Sequence, residues 1–317
     1  MTIIYILSSV LILVIIALIV LGNRFYNLAI NPAVSKDIVF KDEDEGSDDK
    51  VSKNETSGEN KKEDIKWFLN ESNYVDEYIE SFDGLKLHGY KLINKDKTNM
   101  WIIAVHGYTS NGVLLSSYTR RFYDMGYNVL VPELRGHGKS EGNYIGMGWD
   151  DRLDILRWIN LIVKDDKSAS IILHGVSMGG ATVMMVSGEN LPHNVKGIIE
   201  DCGYTSIKDE FAYQLKAIFN LPSFPFLDVS SIICKIRAGY YFKDGSSIKQ
   251  LAKNTRPMLF IHGDADDFVP FSMLNKVYNA TNCTKEKLVI KGARHAKSAV
   301  VNPKLYWDTV REFIKRG

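Results

Sequence analysis

Short apolar segments alternate with amphipathic segments from about Ile65 to the end of this 317-residue chain. Several of the apolar segments have almost no polar face, which is typical of parallel strands covered by helices on both sides. The segments between them have the apolar periodicity of helices that pack on a sheet through one face. The alternation predicts an α/β fold with a mostly parallel sheet. The clearest strand segments are 101–105, 128–131, 170–173 and 258–261.

Two features modify this alternation. Asp83-Gly84 separates the first two predicted strands and is a tight-turn pair, so we expect the sheet to start with an antiparallel hairpin. Residues 206–256 occupy the place of a crossover but are far longer than an ordinary connection. They are rich in aromatic residues, which a solvated loop would not need, so we predict a helical cap over the sheet edge. The aromatic residues are Phe211, Tyr213, Phe219, Phe224, Phe226, Tyr240, Tyr241 and Phe242.

Composition excludes several other classes of protein. The net charge is +1 and there is no long basic run, so nothing indicates a nucleic-acid partner. The cysteines Cys202, Cys234 and Cys283 are too few and too dispersed for a disulfide framework or a zinc ribbon. The hydrophobic fraction of 45% is ordinary for a globular chain with a full core.

The N-terminal segment is the strongest departure from that average. Ile3–Leu21 contains no charged residue, and as a helix it would be roughly 28 Å long, close to the hydrocarbon thickness of a bilayer. It has no basic region before the apolar run and no small-residue cleavage site after it, which a signal peptide would carry. We therefore predict a transmembrane anchor over residues 1–24, making the protein a single-pass membrane protein.

The orientation of this anchor is weakly encoded. Arg24 follows the span, and no Lys or Arg precedes it, which by the positive-inside rule favours a cytoplasmic domain. A single Arg has little weight, because long domains cross the membrane largely regardless of charge. We expect the folded domain to lie outside the cell, with the orientation left open.

A strongly polar segment follows the anchor. Residues 41–64 contain ten acidic and five basic side chains, with Val51 as the sole apolar residue. Such a segment buries too little surface to offset its chain entropy. We predict an acidic flexible linker over residues 25–64 and a folded domain over 65–317.

A nucleophile motif lies between a predicted strand and a predicted helix. Gly175-Val176-Ser177-Met178-Gly179 has the pattern G-x-S-x-G, directly after strand 170–173. A nucleophilic serine needs a sharp turn, and the glycines let neighbouring backbone approach it. The pattern in this context indicates Ser177 as a nucleophile.

Serine needs a base, and the base needs an orienting acid. Of the seven histidines, His295 follows the last predicted strand and precedes the last helix, at the same sheet edge as Ser177. His106, His174 and His262 each follow a buried strand, and we expect them to be turn or core residues. His137 and Cys202 are more easily explained by packing than by a pocket role. Asp264, Asp266 and Asp267 follow the strand at 258–261, and spacing alone does not choose among them.

From Tyr78 onward the sequence resembles the α/β-hydrolase superfamily. It is most similar to bacterial serine hydrolases of the serine aminopeptidase-like and BEM46-like esterase groups. The resemblance is carried by His106-Gly107-Tyr108, by residues 133–140, by the turn around Ser177, by residues 263–270 and by His295. Glu133 stands where the family usually has Asp, in a loop that gives structural support.

This resemblance implies an α/β-hydrolase fold and specific roles. It selects Asp266 as the acid of a Ser177–His295–Asp266 triad. It also implies that the backbone N–H groups of Tyr108 and Met178 form the oxyanion hole. The expected chemistry is acyl transfer to Ser177 followed by hydrolysis, with no metal or organic cofactor.

The leading functional hypothesis is a carboxylesterase for small to medium acyl esters. An aminopeptidase or amidase would need acids for a substrate amine, and Asp209, Glu210 and Asp228 in the cap are candidates. An acyltransferase or thioesterase would differ only in the acyl acceptor or ester. A non-catalytic receptor that reuses the fold is disfavoured by the complete triad.

Overall fold

The computed structural model describes residues 1–39 and 55–316. Within them, eight strands form one sheet in the order β1-β2-β4-β3-β5-β6-β7-β8. β2 is antiparallel to both β1 and β4, and the remaining neighbouring pairs are parallel. The predicted α/β class, with a mostly parallel sheet and an antiparallel start, is confirmed. The strands are β1 (Val75–Glu80), β2 (Lys86–Leu92), β3 (Met100–Val105), β4 (Asn128–Pro132), β5 (Ser170–Val176), β6 (Val195–Asp201), β7 (Met258–Gly263) and β8 (Lys285–Ile290).

Helices cover both faces of this sheet, as the continuously apolar strands require. In β3, Ile103 and Val105 enter one buried cluster, while Ile102 and Ala104 enter the other. This division follows from the two-residue repeat of a strand. The described helices are α1 (Thr2–Ala29), α2 (Glu55–Asn70), α3 (Ser116–Asp124), α4 (Asp151–Asp165), α5 (Met178–Val186), α6 (Ile207–Phe219), α7 (Phe226–Ala238), α8 (Ser247–Leu251), α9 (Ser272–Asn279), α10 (Ser298–Val301) and α11 (Pro303–Arg316).

The predicted cap region, residues 206–256, contains α6, α7 and α8. Helix α6 begins at a conventional cap, because the Ser206 hydroxyl accepts a hydrogen bond from the Asp209 N–H at 3.0 Å. It is tied to the loop after β7, since Gln214 Nε2 donates to the Phe268 carbonyl at 2.8 Å. The region thus consists of helices held over the carboxyl edge of the sheet.

Helix α1 is long and apolar enough to cross a membrane, and none of its apolar window is buried inside the protein. It does not end at residue 24, where the predicted anchor ends, but continues to Ala29. Tyr26 and Ile30 are buried, and the Ile145 N–H donates to the Ile30 carbonyl at 2.8 Å. Residues 25–39 therefore differ from the predicted flexible linker, because tertiary packing continues the helix into the folded domain.

The end of the predicted linker also differs. Helix α2 begins at Glu55, and Asp64 accepts a hydrogen bond from Arg120 Nη1 at 3.0 Å. Phe68 is fully buried, and the Trp67 ring lies 5.5 Å from that of Tyr123. Packing through this apolar end holds a helix whose beginning is too polar to be recognised in sequence. Residues 40–54, where most of the acidic run falls, lie outside the described residues.

A buried arginine ties the β1–β2 turn to helix α4. Arg135 is fully buried, and its Nε and Nη2 each donate to Asp154 at 2.9 Å. Its Nη1 donates to Asp83 at 2.9 Å and also contacts the Tyr144 hydroxyl. Burial raises the pKa of Asp154 to about 6, even though the hydrogen bonds from Arg135 oppose this rise. The Arg135 guanidinium therefore stabilises the ionised form of the buried Asp154 carboxyl group.

We expect Arg135→Met in the full-length protein to lower the free energy of unfolding by about 3–5 kcal/mol at pH 8, because it leaves a buried carboxylate unpaired. The loss should be smaller at pH 5. A folded-state pKa raised above the unfolded value favours folding at low pH, and this contribution is lost as the pH rises through about 6. Urea unfolding in detergent micelles at both pH values measures this effect.

Arg157→Met is the matched control, because Arg157 is exposed on the same helix α4. We expect it to change the free energy of unfolding by less than about 0.5 kcal/mol. Equal losses for the two variants, or a larger loss for Arg135→Met at pH 5 than at pH 8, would contradict this account of the Arg135–Asp154 pair.

Candidate active site

Ser177 occupies a sharp turn between β5 and α5. Its backbone has φ 59° and ψ −120°, a conformation that is strained for a residue with a side chain. The Ser177 N–H donates to the Asp201 carbonyl of β6 at 2.8 Å, which anchors the turn to the sheet. The residue is 8% exposed. The strand–turn–helix context predicted for the motif is therefore present.

The two flanking glycines allow this turn to close. A Cβ added to Gly175 would lie 2.1 Å from the Gly179 carbonyl oxygen, and one added to Gly179 would lie 2.1 Å from the Val105 carbonyl oxygen. Both contacts are with backbone that cannot rotate away, so neither position accepts even alanine without a shift of the main chain. The spacing of the motif is thus a steric requirement of the turn.

The structure brings Ser177, His295 and Asp266 together. His295 Nε2 lies 2.8 Å from Ser177 Oγ, and His295 Nδ1 lies 2.8 Å from Asp266 Oδ2. The three residues follow β5, β8 and β7, which are parallel strands that end at the same edge of the sheet. A proton on Nδ1 that is donated to Asp266 leaves Nε2 free to accept the Ser177 hydroxyl proton.

Asp266 is held by more than the base. Its Oδ1 accepts hydrogen bonds from the N–H groups of Phe268 at 3.0 Å and Val269 at 2.9 Å, and His262 Nε2 lies 3.2 Å from Oδ2. Burial alone would raise the pKa of Asp266, but hydrogen bonds from His262 and His295 outweigh it and hold the pKa at about 2. The side chain is therefore an oriented carboxylate near neutral pH.

The other two aspartates of the loop have different partners. Asp264 Oδ1 accepts a hydrogen bond from the Gly292 N–H at 2.6 Å, and Asp267 Oδ2 accepts one from Arg294 Nη2 at 3.1 Å. Both carboxylates are exposed. Of the three acids that spacing leaves open, Asp266 is the one hydrogen-bonded to His295.

The histidines expected in turns or in the core are bonded to the fold. The Leu134 N–H donates to His106 Nε2 at 3.0 Å, and His174 Nε2 lies 3.1 Å from the Tyr306 hydroxyl. Burial lowers the pKa of each imidazole to about 3, so both are neutral. His137 is also buried, and its Nδ1 lies 3.1 Å from the Arg135 carbonyl oxygen.

Cys202 is closer to the triad than sequence suggested. Its Sγ lies within 4.8 Å of ligand atoms of Asp266 and His295. Burial raises the pKa of the thiol well above its ordinary value, with the charge of Asp201 adding to the effect. The group is thus a protonated, buried thiol, which disfavours it as a competing nucleophile.

The predicted oxyanion donors lie beside the nucleophile. Tyr108 and Met178 line the same cavity as Ser177. A Cβ added to Gly107 would lie 3.3 Å from Ser177 Cβ, so the chain entering Tyr108 passes directly against the serine. Met178 is the first residue of α5, where backbone N–H groups have no partner within the helix. Both positions suit donors to a developing oxyanion.

A mostly apolar cavity of about 90 Å³ lies in front of Ser177. The cap supplies much of its wall through Phe211, Leu215, Phe219 and Phe242. Glu210 is the acidic side chain of the lining, and burial raises its pKa to about 8 despite a hydrogen bond from Gln214. Near neutral pH the cavity therefore holds a largely protonated acid, which suits an uncharged acyl group.

One wall of this cavity is not predicted from the sequence. Phe25, Leu28 and Ala29, from the last turns of α1, line it together with Val39. The Tyr108 hydroxyl donates to the Ala29 carbonyl at 2.9 Å. These wall residues fall within the predicted linker over residues 25–64, whereas Phe25, Leu28 and Ala29 belong to helix α1 in the structure. The aromatic Phe25 and Tyr26 just beyond Arg24 were the available signal.

Comparisons with known proteins agree with this fold. The family model described as serine aminopeptidase, S33, matches residues 96–231. The protein YqkD of Bacillus subtilis is 31% identical over 74% of this chain and 77% of its own length. A membrane protein of Saccharomyces cerevisiae is 21% identical over 73% of this chain and 76% of its own length. The structure of an esterase from Pyrococcus furiosus has a TM-score of 0.63 at 23% identity, covering 80% of this chain and 94% of the esterase.

Proposed function

Because the chain belongs to the α/β-hydrolase superfamily, we propose that it is a serine carboxylesterase that cleaves small to medium acyl esters. One observation carries the proposal: the continuous set of hydrogen bonds from Ser177 Oγ through His295 to Asp266, each 2.8 Å long. This is the arrangement that converts a serine hydroxyl into a nucleophile.

The reaction proceeds in two halves. His295 Nε2 takes the Ser177 proton as Oγ attacks the ester carbonyl, and the N–H groups of Tyr108 and Met178 stabilise the oxyanion. The imidazolium, stabilised by Asp266, then protonates the departing alcohol and leaves an acyl-enzyme. Water attacks this ester with His295 again as the base, which releases the carboxylic acid and restores Ser177.

The lining of the cavity favours an acyl ester over an aminopeptidase substrate. An aminopeptidase needs ionised acids that meet a substrate ammonium group, and Glu210 is the cap acid that lines the cavity. Its raised pKa disfavours the charged form. Asp209 instead accepts a hydrogen bond from the Thr205 hydroxyl at 2.7 Å, and Asp228 lies 3.7 Å from Lys208. Asp209 and Asp228 therefore have other partners, and neither of them lines the cavity.

For its location, we propose a single-pass membrane protein with an extracellular catalytic domain. Support comes from the apolar helix α1, which is long enough to span a bilayer, and from the yeast relative that is described as a membrane protein. Protease accessibility of the domain in intact cells tests the orientation. Digestion without membrane permeabilisation supports an extracellular domain, and digestion that needs permeabilisation contradicts it.

A substrate panel tests the activity. Full-length protein in detergent should hydrolyse p-nitrophenyl esters of acetate through octanoate faster than aminoacyl-p-nitroanilides, by at least tenfold in kcat/KM. Faster turnover of the anilides would favour the aminopeptidase reading. A lack of hydrolysis for every ester would contradict the proposal.

A further inference from the structure

The membrane-anchoring helix is built into the catalytic domain. Gly22 and Tyr26 of α1 are buried, and a Cβ added to Gly22 would lie 2.6 Å from Val229 Cγ1 of α7. The Phe25 ring lies 5.4 Å from that of Phe219 in α6 and 6.1 Å from that of Phe226 in α7. The cap is therefore packed directly against the last turns of the anchor.

This packing fixes the height of the cavity above the membrane. The apolar run ends at Leu21, and the first charged side chain is that of Arg24. Along the helix axis, Phe25 lies about 6 Å and Leu28 about 10 Å beyond that residue. A bilayer carries a polar headgroup layer of roughly 5–8 Å on each side of its hydrocarbon core. The wall thus extends from within the headgroup layer, at Phe25, to just above its outer edge, at Leu28.

A second, larger groove lies on the membrane side of that wall. Phe25, Leu28 and Phe219 line both the cavity of Ser177 and this groove of about 500 Å³. The rest of its lining consists of the apolar residues Val20, Val34 and Ile38 and the polar residues Asn23, Arg24 and Asn27. These three shared side chains therefore stand between the nucleophile and a mostly apolar surface that begins at hydrocarbon level.

We propose that the substrate is an acyl ester of a membrane lipid, whose chain passes from the bilayer through this groove and between Phe25, Leu28 and Phe219 to reach Ser177. The inference rests on the proposed esterase function and extends its acyl range from small and medium groups to the long chains of membrane lipids. Moving an acyl chain from lipid into water costs about 0.8 kcal/mol per CH₂. A groove continuous with the bilayer avoids that cost, because the chain moves between two apolar surroundings.

Replacing a side chain of the shared wall with a larger one tests whether the acyl chain follows this route. In full-length protein in phosphatidylcholine vesicles, we expect Leu28→Trp to lower the ratio of kcat/KM for p-nitrophenyl palmitate to that for p-nitrophenyl butyrate by at least tenfold. Leu13→Trp is the matched control, because Leu13 lies in the exposed part of the span. It should leave the ratio within twofold.

The outcomes separate this inference from the proposed function. An unchanged ratio in Leu28→Trp, with ester hydrolysis still dependent on Ser177, overturns the membrane route and leaves the esterase intact. Hydrolysis of both esters that persists in Ser177→Ala overturns the esterase itself.

A second measurement needs no variant and decides the question if Leu28→Trp fails to fold. Wild-type protein in the same vesicles is treated with a hexadecyl fluorophosphonate that carries a diazirine at the chain end. Ser177 Oγ bonds to phosphorus as the P–F bond breaks and fluoride leaves, with His295 taking the hydroxyl proton. After photolysis we expect protein cross-links in residues 20–39 or 219–227. Cross-links confined to other parts of the chain would overturn the route, and absence of labelling at Ser177 would contradict the proposed function.

Discussion

Replacing Ser177 with alanine is expected to lower kcat/KM for p-nitrophenyl butyrate by about 10⁴- to 10⁶-fold, because no other side chain takes over the nucleophile's role. Ser177 Oγ is the atom that His295 Nε2 contacts at 2.8 Å. The remaining rate should come from substrate binding and the oxyanion donors. Initial rates of the full-length protein in detergent, with substrate below KM, measure the change.

Ser187→Ala is the matched control, because Ser187 is also buried but follows the far end of the same helix. Its hydroxyl donates to the Met184 carbonyl at 2.7 Å and does not line the cavity. We expect its kcat/KM to stay within about threefold of the wild type. If Ser177→Ala loses less than tenfold, the assignment of the nucleophile is wrong.

Replacing Asp266 with asparagine is expected to lower kcat by about 10⁴-fold while the fold is retained. An amide keeps the shape of the carboxyl group but offers N–H donors to His295, which favours the imidazole tautomer with its proton on Nε2. That tautomer cannot accept the Ser177 proton. Steady-state kinetics with the same ester, together with circular dichroism to check folding, measure the effect.

The same loop supplies two controls for this substitution. Asp264→Asn and Asp267→Asn remove exposed carboxylates whose partners are Gly292 and Arg294, and we expect each to keep kcat within about threefold. A loss in Asp267→Asn as large as that in Asp266→Asn would contradict the assignment. Because the pKa of Asp266 is held at about 2, its titration should leave no inflection in the pH–rate profile of the wild type above about pH 4.

Much of the site follows from local sequence patterns. Strands buried on both faces are recognisable because they are continuously apolar. Their carboxyl ends in a parallel sheet lie at one edge, which places Ser177 after β5 and His295 after β8 close together. Choosing Asp266 over Asp264 and Asp267 required the resemblance, because the other two acids lie only two residues before and one residue after it, and only the turn geometry distinguishes the three.

The role of helix α1 in the site could not be derived in the same way. The segment after Arg24 contains Tyr26 and Ile30, which are buried only because the cap and the loop at Ile145 lie against them. These partners are more than a hundred residues away in sequence. Helix α2 could not be predicted for the same reason. Its sequence begins with polar residues, and the helix is stabilised by the packing of Trp67 and Phe68 near its end. Local composition does not encode such distant contacts.

Covalent labelling of the folded, full-length protein by a fluorophosphonate tests the activated serine most directly. Peptide mapping by mass spectrometry should find one adduct, on Ser177, and no adduct on that peptide in Ser177→Ala. His295→Ala should slow the labelling by at least a hundredfold, because it removes the base that accepts the Ser177 proton. Labelling of a different serine, or no labelling of a protein shown to be folded, would contradict the proposed triad.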